Sequence, residues 1–289
     1  MPVGPTTRRR QLAAELRRLR SQAGMTLEEA GTAGGTSRAA LARYESPQGS
    51  SAPKWPIVDA LCRAYQADDR DRAALVTLAK EAKVQGWWQS YADAVPEWIK
   101  PLVTLEDEAT EELHWAPTYV PGILQTHGYA TAVMRAAETR ADDDAIARMV
   151  DFRLKRQEVL ARATPPHLWV IMDEGVLHRR VGGPSVMREQ LADLRQRAAK
   201  PHVTVQVLPF TAGAHGADSA GFVMLRGPEP SLDVVYIGIK TAALYLEKDT
   251  ELTRHRVVFE ELRAMALSPD SSVELIAAVG EQYARAAEE

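Results

Sequence analysis

Residues 24–45, GMTLEEAGTAGGTSRAALARYE, constrain the fold of this chain more than any other stretch. Thr26 followed three residues later by Glu29 is a capping box, in which side chain and backbone exchange hydrogen bonds at the open end of a helix; a helix therefore begins at Leu27. Gly34 and Gly35 end it in a tight turn, since glycine accepts the left-handed backbone such turns need. Ser37 is a good N-cap for a further helix to about Tyr44, with Leu41 and Tyr44 inward. Upstream, Leu12, Leu16 and Leu19 recur at i, i+4 and i+7, which predicts a helix over 8–22 stopped at Gly24. Downstream, the polar stretch 46–53 reads as a loop. Helices are predicted over about 56–66, with Ile57, Leu61 and Tyr65 on one face, and over 70–84, with Leu75, Leu78 and Ala82 on one face.

Charge separates this end from the rest. Residues 1–54 hold nine basic residues (Arg8, Arg9, Arg10, Arg17, Arg18, Arg20, Arg38, Arg43, Lys54) against four acids (Glu15, Glu28, Glu29, Glu45), a balance of +5. The whole chain is −4, so residues 55–289 carry −9. A basic end on an acidic body points to a polyanionic partner for the N-terminal part alone, and the competing reading is a solvated basic helix face.

The chain has 289 residues, above the usual length of one domain, so two are expected: 1–84 and 85–289. With 45% apolar and 26% charged residues the composition is that of a globular protein, not a disordered one. No apolar run approaches the roughly 20 residues of a membrane helix, and the N-terminus lacks the apolar core of a secretory signal. One cysteine, Cys62, excludes an internal disulfide and fits a reducing, cytoplasmic location. It sits beside Leu61 on an apolar helix face and reads as a small core residue.

Gly86-Trp87-Trp88 marks a change of composition. Residues 87–116 read as mixed and mostly helical, interrupted by Pro117 and Pro121-Gly122. Helices follow over 126–137 and 142–162. From Pro166 the pattern turns to strands: 168–172, 203–208, 221–225 and 234–237, with 244–247 as the candidate fifth. A helix over 184–199 separates the first two. Two helices, 249–267 and 270–287, finish the chain, split by Ser268-Pro269. The expected architecture is α+β overall: an all-α five-helix domain, then an α+β domain with a small, mostly antiparallel sheet.

A capped helix, a glycine turn and a second capped helix make a helix-turn-helix. Its second helix must bury one stripe and present the other to a DNA major groove. Arg38, Ala39, Ala42 and Arg43 fall on the outward stripe, where arginine bonds a guanine edge or a phosphate and alanine meets a thymine methyl. Thr26 and Ser37 stand at helix N-termini, whose backbone N–H groups suit phosphate.

Residues 10–80 resemble the lambda-repressor-like (Xre/Cro) helix-turn-helix, on Leu16, Arg20, Gly24, Met25, Thr26, Leu27, Gly35 and SRAALARYE (37–45). The resemblance implies an ion pair between Arg20 and Glu45, base-facing positions at Arg38, Ala39 and Arg43, and a backbone contact at Thr26. Gly31, Thr32, Ala33 and Gly34 depart from the family's larger helix formers, and each glycine costs about 1 kcal/mol against alanine inside a helix. Residues 86–280 resemble the C-terminal domain of actinomycete Xre regulators of the antitoxin-like type. The motifs are GWWQSYAD (86–93), VPEWIKPLVTLEDEA (95–109), YVPGILQT (119–126), LWVIMDEGVLHRRVGGPSVMREQL (168–191), VTVQVLPFTAGAH (203–215) and FEELRAMALSP (259–269). That resemblance implies a transcriptional regulator, often encoded beside a small partner protein, with no settled ligand and no catalytic activity for this domain; no cofactor is expected.

Residue chemistry agrees with that absence. The signatures GxSxG, HExxH, GxGxxG and the P-loop are missing, and seven histidines show no paired ligand spacing. VGGPS (181–185) reads as a strand-to-helix turn with Pro184 in the first helical turn. Asp173, Glu174 and His178 read as helix-start residues in preference to an acid/base set. Trp88, Trp115, Tyr119, Trp169 and Phe222 are candidate walls of an apolar ligand pocket, against the alternative of core packing.

The expected function is therefore a sequence-specific, double-stranded-DNA-binding regulator, cytoplasmic, whose C-terminal domain forms a homodimer and receives a small molecule or small protein. The glycine-rich second helix, and Ala39-Ala40 with no polar atoms to offer a base, favour a second reading, a partner-binding module with weak or lost DNA binding. An enzyme recruited from a regulator scaffold is the third.

Overall fold

The computed structural model describes residues 5–46, 53–81, 87–91, 94–217, 220–228 and 233–287. It divides into two compact units, Met1–Gln89 and Ser90–Glu289.

The first unit is helical: α1 (Pro5–Gln22), α2 (Leu27–Ala33), α3 (Arg38–Tyr44), α4 (Trp55–Ala64) and α5 (Asp69–Glu81). Leu12, Leu16 and Leu19 of α1 are buried together with Ala30, Leu41, Val58, Leu61, Tyr65, Leu75 and Ala79 in one core. Gly24 at φ +67° and Gly35 at φ +65° supply the left-handed turns before and after α2. Cys62 lies inside this core, and burial pushes its thiol pKa up to about 11, so it packs as a small apolar residue. Of the stretches assigned from sequence, 47–52, 82–86 and 92–93 lie outside the described residues, Ala82 among them.

The second unit is α+β. Its helices are α6 (Lys100–Glu108), α7 (His127–Ala137), α8 (Asp143–Arg156), α9 (Gly175–His178), α10 (Pro184–Ala198), α11 (Asp249–Met265) and α12 (Pro269–Ala286). Its strands are β1 (Glu111–Ala116), β2 (His167–Asp173), β3 (Val203–Leu208), β4 (Phe222–Arg226), β5 (Val234–Ile239) and β6 (Ala242–Leu246). They form one six-stranded sheet in the order β3-β2-β1-β4-β5-β6.

The sheet corrects the expectation of a mostly antiparallel one: it is mixed. β1, β2 and β3 run parallel, and β4, β5 and β6 continue antiparallel from β1. The reason lies in the connections. The chain passes through α7 and α8 between β1 and β2, and through α9 and α10 between β2 and β3, and helical crossovers of this kind return the next strand parallel. β1 is a second correction, because its residues fall in the stretch expected to be mostly helical; it is a central strand.

The faces of the sheet differ. On one, Leu113, Trp115, Ile171, Phe222, Met224 and Val235 pack under Phe259 and Leu262 of α11. On the other, β2 and β3 pack on α10 and α12 through Leu168, Val170, Met172, Val205, Leu191 and Ile276. Gly182 (φ +70°) and Gly183 (φ +93°) make the turn into α10, with Pro184 opening it.

Candidate nucleic-acid interface

The first unit builds its outward face from the α2–α3 pair. Thr26 caps α2: its hydroxyl accepts from Glu29 N at 3.3 Å, and its own N–H and O–H each donate to Glu29 Oε2 at 2.8 Å. Those donors hold the Glu29 carboxyl below the usual carboxylate range. This corrects one expectation, because the Thr26 N–H is committed to Glu29 and is not free for phosphate. By helix geometry, the open N–H groups at this end are those of Leu27 and Glu28. Ser37 Oγ accepts from Ala40 N at 3.1 Å and so fixes the start of α3.

With α3 so placed, Leu41 is fully buried and Tyr44 half-buried, while Arg38, Ala39, Ala42 and Arg43 are all exposed. Arg43 and Arg38 make no ion pair or side-chain hydrogen bond among the described residues. Two unpaired guanidiniums thus flank two small apolar side chains on one exposed helix surface. That surface offers fork-shaped donors beside methyl groups, the chemistry that reads guanine edges, phosphates and thymine methyls.

An ion pair locks this face to α1. Arg20 Nε donates to Glu45 Oε1 at 2.8 Å and Nη2 to Oε2 at 2.8 Å, while Nη1 donates to the Met25 carbonyl at 2.9 Å. The side chains are 16% and 4% exposed, so little solvent screens the pair. The bonds to Glu45 raise the Arg20 pKa further. One guanidinium therefore ties α1, the α1–α2 turn and the end of α3 together.

The glycines of α2 have a packing role that the sequence does not reveal. A Cβ on buried Gly31 would lie 3.1 Å from the Thr36 carbonyl oxygen and 3.2 Å from Arg38 N, both backbone atoms. A Cβ on Gly34 would lie 2.4 Å from Leu61 Cδ2. Gly31 lets α2 approach the start of α3, and Gly34 lets the turn close on α4. The helix-propensity cost is offset by the close packing it permits. Gly31→Ala is expected to lose a net of about 1 kcal/mol, the overpacking strain exceeding the propensity gain. Chemical denaturation of the full chain checks this, and a variant as stable as the parent contradicts it.

Of the five candidate pocket residues, Phe222 lines a cleft of about 340 Å³. Trp115 and Phe222 lie in the core beneath α11, with Trp169 packed against it. Alternation along β1, β2 and β4 puts all three on the same sheet face. Trp115 meets His215 edge-on at 5.2 Å, Phe222 meets His255 at 5.1 Å, and Trp169 Nε1 donates to Gln206 Oε1 at 2.8 Å. Tyr119 is exposed beneath the Arg179 guanidinium, and Trp88 belongs to the first unit. Asp173 and Glu174 accept from backbone N–H groups of Gly175 and Phe210, and His178 stands 3.6 Å from Glu174.

Sequence reasoning missed a buried polar cluster on the opposite face of β1. Glu112 and His114 point there, toward Glu106 of α6 and Arg156 of α8. Arg156 Nε donates to Glu106 Oε2 at 2.8 Å, and Nη2 donates to Oε1. His114 Nε2 lies 3.0 Å from Glu112 Oε2, and Glu112 is wholly buried. Burial pushes the Glu112 pKa up to about 8 and the His114 pKa down to about 4, so at neutral pH the pair is uncharged and shares one proton. The signal available in sequence was alternation: Glu112 and His114 against Leu113 and Trp115.

Residues 99–278, most of the second unit, match the family described as Domain of unknown function (DUF5753). The chain belongs to the DUF5753 family. Residues 11–75 match the family described as Helix-turn-helix domain, and they span the elements that carry the exposed α3 face. No curated protein and no solved structure matches the chain. The DUF5753 region includes the mixed sheet and its buried cluster. Among the described residues no helix is long and apolar enough to cross a membrane.

Proposed function

We propose that this chain is a sequence-specific, DNA-binding transcriptional regulator of the Xre/Cro type, with the antitoxin-like architecture of actinomycete regulators. The observation that carries the reading is the exposed α3 face, with unpaired Arg38 and Arg43 on either side of Ala39 and Ala42. A single head covers one half-site, so two copies acting together on a two-fold operator fit it best. The DUF5753 domain then serves as the dimerising, signal-receiving body, and a ligand or partner acts by favouring one placement of the heads. In this reading the protein is a cytoplasmic binder, not an enzyme.

Arg43→Ala tests it. The substitution is expected to cost about 1–3 kcal/mol of specific binding and to relax choice at one base pair, as loss of a base contact does. Fluorescence anisotropy with variant duplexes measures both. Unchanged affinity and unchanged sequence choice would remove Arg43 from the reading face.

A further inference from the structure

The second unit contains a cleft of about 470 Å³, within the size range of small-molecule sites. Its walls are mainly apolar: Trp98, Ile99, Met134, Met149, Phe152 and Ile239. Glu138 and Lys240, opposite in charge, stand at its exposed edge. The remaining charged group in the lining is Arg153.

Arg153 differs from its neighbour one turn along α8. Arg156 spends its charge on Glu106 through two hydrogen bonds. Among the described residues Arg153 makes no direct ion pair with a carboxylate, and Glu106, already bonded to Arg156, acts on it only at longer range. Its Nη1 donates to the Gln125 side-chain oxygen at 2.7 Å, and its Nε is sealed from solvent without a partner. Burial, with Arg156 nearby, lowers its pKa to about 10, so it stays charged at neutral pH at an energetic cost. An unpaired, largely buried cation is costly unless an anion answers it. Here it sits in an apolar cleft, beside two methionines whose flexible side chains adapt to varied shapes.

We propose that this cleft binds an apolar organic carboxylate, with the hydrocarbon body against Trp98, Met134, Met149 and Phe152 and the carboxylate on Arg153. With Nε sealed, a carboxylate would meet the Nη edge of the Arg153 guanidinium, deep among the apolar walls, whereas Lys240, the other cation in the lining, stands at the exposed edge. The Gln125 carbonyl in turn accepts from Gln157 Nε2 at 2.7 Å, and Gln125 Nε2 donates to the Val120 carbonyl at 2.7 Å. Occupancy at Arg153 is thereby connected to the buried segment leading into α7. The proposal supplies a ligand class for the signal-receiving body and rests on that reading only for its regulatory consequence.

The test is calorimetric titration of the full chain with decanoate and with decan-1-ol, which has the same chain without the charge. Decanoate is expected to bind saturably, one per chain, and decan-1-ol at least roughly tenfold more weakly. Arg153→Gln should weaken decanoate by roughly tenfold or more, the usual scale for removing one partner of a buried charge pair. Ala137→Trp, at an exposed position on the cleft, should block both probes without disturbing the fold. Absence of saturable decanoate binding, equal binding of the alcohol, or full affinity in a folded Arg153→Gln protein would overturn the proposal. If Arg153→Gln does not fold, the alcohol comparison and Ala137→Trp still decide it. DNA binding of the same samples separates the two readings. Decanoate bound with no change in DNA affinity upholds the site and contradicts its regulatory role; intact DNA binding with no decanoate bound contradicts the site alone.

Discussion

Arg20→Ala is expected to destabilise the first unit by about 3–5 kcal/mol, because it leaves Glu45 charged and buried without its partner. Glu45 is 4% exposed, so water cannot replace the lost guanidinium. The same change frees the Met25 carbonyl at the α1–α2 turn. A loss of that size is a large part of the 5–15 kcal/mol that holds a typical domain together. Hydrogen exchange on the full chain is the readout, since it reports each unit separately. Amides of α2 and α3 should lose protection while those of the β2–β3 region keep theirs. Arg20→Lys should recover only part, because an ammonium cannot reproduce the two-pronged contact. Arg20→Ala combined with Glu45→Ala should be milder than Arg20→Ala alone. Unaltered protection of α3 in Arg20→Ala would contradict the role given to the pair.

The second large effect is a gain. Glu112→Gln is expected to stabilise the second unit by about 3 kcal/mol at pH 7. The sign follows from the proton count. The Glu112 pKa rises from 4.5 in the unfolded chain to about 8 in the folded one, so the folded state holds a proton that the unfolded state has released. Stability from this group is full below pH 4.5 and is lost as pH rises through 8. His114 acts oppositely: its pKa is pushed down to about 4, so its contribution is present above pH 6.5 and is lost as pH falls. Above about pH 7 histidine is neutral in both states, and only Glu112 of the pair still titrates. Glutamine keeps the shape and a hydrogen bond for His114 and removes the titration. Thermal unfolding from pH 6.5 to 8.5 should show the parent's second-unit transition falling with pH and the variant's nearly level. Parallel curves would mean that Glu112 is charged in the folded protein.

How much of this was readable beforehand depended on whether the signal was local. Capping is local, so Thr26, Glu29 and Ser37 marked the starts of α2 and α3 from residue type and spacing alone. The periodic leucines of α1 and the β-branched runs of β2, β3 and β5 announced themselves the same way. Strand direction is not local. The helix between 168–172 and 203–208 was visible in the sequence, but its consequence, a parallel pair, depends on how the crossover packs.

β1 was hidden for a different reason. Its buried polar residues, Glu112 and His114, break the apolar pattern by which a central strand is recognised, and the buried cation beside them, Arg156, comes from a helix distant in sequence. Gly31 misled in the same sense. Its cost as a helix residue is written in the sequence, whereas the backbone atoms of Thr36 and Arg38 that require it are brought close only by folding. Of the aromatic residues grouped by type, alternation along the strands put Trp115, Trp169 and Phe222 on one core face, whereas Tyr119 is exposed and Trp88 belongs to the first unit.

The central claim is that the exposed α3 face reads DNA. Its most direct test is binding of the full chain to the DNA upstream of its own coding sequence, at 50 mM and 200 mM salt, beside an unrelated duplex. Saturable, sequence-selective binding that weakens steeply with salt is expected, because arginines on phosphates release counterions. Weak binding, equal on both duplexes, would contradict it and leave the DUF5753 body as the part that acts.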